Sequence, residues 1–217
     1  MTNPRTKARL AGLFYLLMFP IGGYHQFVAA NQLRPARDAA LTAANILGHP
    51  FLFQSASIVD VLVVACYLVV TALFYELFAP VDGTLSLIAA LFSLTGCVTQ
   101  AFASLFHIAP LLVLRSAANK QAAETIAYVL LKLYSPAYAI GLVFFAFYLI
   151  FIGRLIYTST FMPRILGALV AIQGVAWMTI VWPPLATKIF PFLMLLAAAG
   201  EGALMVWLLV KGVKVEA

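Results

Sequence analysis

Charge is what this chain has least of. Only 9% of its 217 residues are Asp, Glu, Lys or Arg, against about 25% in a soluble domain, so it cannot cover a water-facing surface. Cysteine is nearly absent as well. Cys66 and Cys97 both fall inside apolar runs, which excludes a disulfide framework or a CxxC motif and reads as buried, inert thiols. There are three histidines, and no HxxxH or HExxH spacing joins them. GxSxG, a glycine-rich phosphate loop and a paired-Asp phosphate motif are missing too. Nothing in the chain therefore signals an enzyme specifically. The net charge of +6 comes without a basic patch interleaved with exposed aromatics, which excludes nucleic acid as a partner. Lys and Arg at helix ends facing anionic headgroups explain it more simply.

What the chain does have is apolar length. It is 65% hydrophobic, with a mean hydropathy of +1.05. A membrane helix needs roughly 20 apolar residues, and six stretches qualify: about 9–30, 51–78, 85–114, 125–157, 164–182 and 189–210. They use nearly the whole chain, so residues 1–217 are expected to form a single integral membrane domain. The basic start and the Val28-Ala29-Ala30 end of the first stretch imitate a secretory signal. The run is too long for one and contains Pro20, Tyr24 and His25, so a retained anchor is expected. After it, Ala36–Gly48 places Ala39, Ala43, Ile46 and Leu47 on one face, which predicts a short interfacial helix ended by Gly48 and Pro50. Pro136 is expected to kink the fourth span, and Pro183-Pro184 to separate the last two. The predicted fold is all-α: a polytopic bundle of six transmembrane helices with an interfacial helix after the first.

Six crossings put both termini on one side. That side carries Arg5, Lys7, Arg9, Arg154, Arg164, Lys211 and Lys214, seven of the 13 basic residues, and the other carries six. The dense N-terminal cluster and the basic C-terminus lie nearest to helix ends. Both termini are therefore expected in the cytoplasm, with the protein in the inner (plasma) membrane. Arg9-Leu10-Ala11-Gly12 is echoed by Arg164-Ile165-Leu166-Gly167, either as a trace of duplication or as chance likeness between apolar segments.

Four segments carry a resemblance that spans nearly the whole chain: RLAGLFYLL, DAALTAANIL, GLVFFAFYLIFIGRLIYTSTFMPRILG and GEGALMVWLLVKG. Together they resemble a group of small bacterial membrane proteins, the domain of unknown function numbered forty-three eighty-six. The resemblance implies a bacterial, six-helix inner-membrane protein. It implies no reaction and no site residues.

The few intramembrane polar residues carry whatever chemistry there is, because a charge at the bilayer centre costs about 2.5 kcal/mol or more. At 1.5 Å rise per residue, Asp60 lies roughly 14 Å along the second span. His25, Gln100, His107, Lys132 and Tyr134 fall in the same membrane half. Gln100, Ser104 and His107 share a face at i, i+4, i+7. Gln54, Ser57 and Val61 share another, with Asp60 beside it. If these faces meet, they form a polar pocket in the extracytoplasmic half for a small molecule or ion. His25, Asp60, Gln100, His107, Lys132 and Tyr134 are the candidate ligand-binding residues, with Asp60 as anchor. The alternative is interhelical glue in a structural or accessory subunit, with Asp60 paired to Lys132 or bonded to Gln100. Glu201, between Gly200 and Gly202, is either a proton or cation relay or a neutral carboxyl bonded to Gln173 or Tyr15. A haem or metal held by His25 and His107 in an intramembrane enzyme is a further alternative. No cofactor is predicted, and the lipid bilayer is the one certain partner.

Overall fold

The computed structural model describes residues 3–24 and 37–213. All the regular structure among them is helical. The elements are α1 (Pro4–Gly23), α2 (Ala39–Gly48), α3 (Pro50–Phe78), α4 (Gly83–Ser116), α5 (Lys120–Thr158), α6 (Arg164–Trp177) with a 3-10 turn over Met178–Val181, and α7 (Pro183–Val210). The helical segments α3, α4, α5, Arg164–Val181 and α7 are each long and apolar enough to cross a bilayer. The expected end of the first span at 25–30, the link over 31–36, and His25 lie outside the described residues.

The outward faces identify the solvent. Leu91, Val98, Phe102, Ile165 and Leu195 are each more than half exposed, and in every spanning segment no more than half of the most apolar stretch is buried within the protein. Water would not tolerate so much contiguous apolar surface, whereas lipid does. The chain is an integral membrane protein.

The helix ends follow local chemistry. The Asp38 side chain accepts a hydrogen bond from the Leu41 N–H at 2.7 Å and caps α2. Helix α7 begins six residues before the expected Ile189. Pro183 and Pro184 open its first turn, where a missing N–H goes unused and the fixed φ suits a helix. The pair thus does separate the last two helical segments, and does so from inside the first turn of α7. Helix α1 likewise starts at Pro4, ahead of the expected Arg9. On α2 the buried face is Thr42, Ala43 and Ile46, while Leu47 points outward.

The contacts divide the chain into two compact units, and α1, α3, α4 and α5 each contribute to both. The first unit comprises the described parts of Met1–Leu17, Cys66–Cys97 and Ala139–Ala217. Here α5 and α6 lie backbone to backbone at Gly153, Gly167 and Gly174. Gly12 of α1 meets Leu208 and Leu209 of α7. Aromatic contacts fill the rest, with Phe92 against Phe144, Phe147 and Phe151, and Tyr67 against Phe145. Lys7 forms an ion pair with Glu76.

The second unit comprises the described parts of Met18–Ala65 and Val98–Tyr138. Its core is Ile46, Phe53, Ala56, Leu111 and Leu131. That core holds the short helix α2 against the opening of α3 and the ends of α4 and α5 nearest their connection.

Candidate functional site

In the second unit, α3 turns Phe53, Ala56, Ser57 and Asp60 inward, the i, i+3, i+4, i+7 stripe of a helix facing its neighbours. Gln54 and Val61, expected on this face, point outward instead. They line an open groove of about 510 Å³ with Ile58 and Leu62. Helix α4 turns Gln100, Ser104 and His107 inward, and all three are buried. Helix α5 supplies Tyr134.

These faces meet at Asp60. Its Oδ2 lies 2.8 Å from His107 Nδ1 and accepts a hydrogen bond from the Tyr134 hydroxyl at 2.9 Å. Asp60 is 7% exposed and His107 3%. The His107 ring meets the Phe53 ring edge-on at 5.0 Å and lies 4.8 Å from that of Tyr134. A carboxylate and an imidazole thus share a short contact between aromatic walls. Charge-assisted bonds of this kind are the strong ones, and an apolar surround makes them stronger and makes losing one partner costly.

Among the predicted residues the structure brings Asp60, His107 and Tyr134 together. Gln100 is buried on the same face of α4, next to the Tyr138 hydroxyl. Lys132 is not at Asp60. It is exposed, and its Nζ sits 4.4 Å over the Tyr128 ring one turn earlier on α5. His25 lies outside the described residues. The described residues contain no group of three His, Cys, Asp or Glu placed to hold a metal ion. His107 Nδ1 faces Asp60, so a metal or haem at this residue would take Nε2.

The first unit contains a separate polar centre. Glu201 of α7 accepts a hydrogen bond from the Tyr67 hydroxyl at Oε1, 2.8 Å, and one from Gln173 Nε2 at Oε2, 2.6 Å. Gly200 leaves the space into which the Gln173 amide fits. The Tyr15 and Tyr148 hydroxyls face the same carboxyl. Nearby, Thr71 and Ser93 share a hydrogen bond at 2.6 Å. Sequence reasoning placed Glu201, Gln173 and Tyr15 here but missed Tyr67 and Tyr148. A signal for Tyr67 was present: it follows Asp60 by seven residues, and so repeats the inward stripe of α3.

A family model for a domain of unknown function (DUF4386) matches residues 10–212. No curated protein and no solved structure matches the chain.

Proposed function

We propose, from the premise that the chain belongs to the family of the domain of unknown function DUF4386, that it binds and carries a small molecule or ion at a polar site in the extracytoplasmic half of the membrane. A proton or a small cation suits that site best. The observation that carries this reading is the buried Asp60–His107 contact with Tyr134 closing on the same carboxylate oxygen. An intramembrane acid beside an imidazole is able to take up and release a proton without exposing a bare charge to lipid. The protein would sit in a bacterial inner membrane with both termini in the cytoplasm, as the basic residues beside its first and last helices favour.

The test uses purified protein in liposomes with a pH-sensitive dye inside and an imposed membrane potential. Wild type is expected to pass protons, and Asp60→Asn to abolish the signal while remaining folded. If both variants leave the dye unchanged, and Asp60→Asn only melts at lower temperature, the cluster holds helices and the transport reading fails.

A further inference from the structure

The centre around Glu201 draws one side chain from each of five helices: Tyr15 from α1, Tyr67 from α3, Tyr148 from α5, Gln173 from α6 and Glu201 from α7. Convergence of that kind is expensive in a membrane unless the polar groups satisfy one another. Here they do so only in part. Tyr67 and Gln173 spend their donors on the two carboxyl oxygens. The Tyr15 hydroxyl, the Tyr148 hydroxyl and Gln173 Oε1 make no hydrogen bond of good geometry among the described residues, although the two hydroxyls face each other and Tyr15 faces Glu201. All three side chains are buried, at 1%, 1% and 0% exposed. No Lys or Arg among the described residues pairs with Glu201.

The deficit has a definite chemical sense. An ionised Glu201 has no counter-charge among the described residues, and three oxygens carrying lone pairs lack a well-formed bond. Each buried unsatisfied group costs about 1–3 kcal/mol. A proton on Glu201 would remove the charge and could serve one phenol oxygen, but would leave the other and Gln173 Oε1 without a well-formed bond. A water would serve the oxygens and leave the charge. A small hard cation serves both, because carboxylate, amide and hydroxyl oxygens are the ligands such ions take. With a single carboxylate, the matching charge is one. Elsewhere in membrane proteins the coupling ion is held near the midplane by oxygen ligands, there chiefly the backbone carbonyls of broken helices.

We infer that Glu201, Gln173 Oε1, Tyr15 and Tyr148 form a binding site for a sodium-sized monovalent cation. This site is independent of the Asp60 cluster, and the proposal stands or falls without it. The other groups of the centre are Tyr67 on α3, bonded to the carboxyl, and Cys97 on α4, near Tyr67 and Tyr148. Neither supplies a positive charge.

The experiment is thermal unfolding of the detergent-purified full chain, titrated with sodium chloride against choline chloride at equal ionic strength. Wild type is expected to show a saturable rise in melting temperature with sodium alone. Tyr148→Phe keeps the ring and removes one ligand oxygen, and is expected to raise the apparent Kd about tenfold. Glu201→Gln is expected to lose the response altogether, while Asp60→Asn retains it. Should Glu201→Gln fail to fold, the Tyr148→Phe titration decides. Equal responses to sodium and choline, or no response in wild type, would overturn the proposal. A response unchanged in Tyr148→Phe would overturn it too. A melting temperature that moves with pH but not with sodium would also overturn it, leaving Glu201 as a proton site.

Discussion

Gly153 and Gly167 exclude each other's side chains. A Cβ on Gly153 would stand 2.7 Å from the Gly167 carbonyl oxygen, and one on Gly167 would stand 2.6 Å from the Gly153 oxygen. The Tyr157 amide nitrogen lies closer still to the second position, at 2.5 Å. These obstacles are backbone, so no rotamer change relieves them. Small residues at such a crossing let van der Waals contact between helices replace the hydrophobic drive that lipid does not provide. Gly167→Ala is therefore expected to destabilise the protein by about 1–3 kcal/mol through overpacking. Gly48→Ala meets nothing within 4 Å and should change stability by less than about 0.5 kcal/mol. Unfolding in mixed detergent measures both. Equal effects would mean that α5 and α6 do not pack in this way.

The Tyr134 hydroxyl and the Asp60 carboxylate should behave as an energetic pair. Tyr134→Phe removes the donor and leaves the ring against His107. Its expected cost is about 1 kcal/mol, between the small average for hydrogen bonds within membranes and the larger value for bonds to a charge. In a double-mutant cycle with Asp60→Asn, the coupling should be of the same order. A coupling near zero would show that the bond contributes nothing to stability.

Lys132 should be silent in the same cycle. It lies over Tyr128 rather than at Asp60. Lys132→Ala combined with Asp60→Asn should therefore be additive to within about 0.3–0.5 kcal/mol. A larger coupling would place the lysine's charge within reach of the carboxylate.

That lysine also marks what the sequence could and could not convey. Depth along a helix follows from residue count, and it grouped Asp60, His107, Lys132 and Tyr134 in one half of the membrane. Azimuth follows from 100° per residue. Lys132 and Tyr134, two residues apart, lie about 200° apart around α5, so only one of them can face α3. The pattern on α4 was readable because Gln100, Ser104 and His107 repeat at helical spacing through apolar neighbours. On α3 the polar residues Gln54 and Ser57 were as regular, yet the buried stripe joins Ser57 to Phe53 and Asp60 and leaves Gln54 outside. In lipid an apolar residue is at home on either face, so hydropathy does not choose the inward one. The echo of Arg9–Gly12 in Arg164–Gly167 gains a physical correlate. Gly12 and Gly167 both take the close approach of another helix.

Cysteine labelling reports the side of the membrane on which the chain begins, and the fold reduces the question to one bit. Arg5 lies against Gly212, whose φ of +65° turns the chain just past α7. Lys7 pairs with Glu76 near the end of α3. The start of α1, the α3–α4 turn and the end of α7 therefore share one side. Ala118 follows α4, a helix of 34 residues and roughly 50 Å long, and so lies on the other. Single cysteines in a chain carrying Cys66→Ser and Cys97→Ser report each side. With basic termini facing the cytoplasm, Ala118→Cys in intact cells should react with a membrane-impermeant maleimide. Gly83→Cys should react only after the cells are broken. The reverse pattern would place the start of α3, and Asp60 with it, toward the cytoplasm. Labelling of both in intact cells would contradict the crossing of α4 itself.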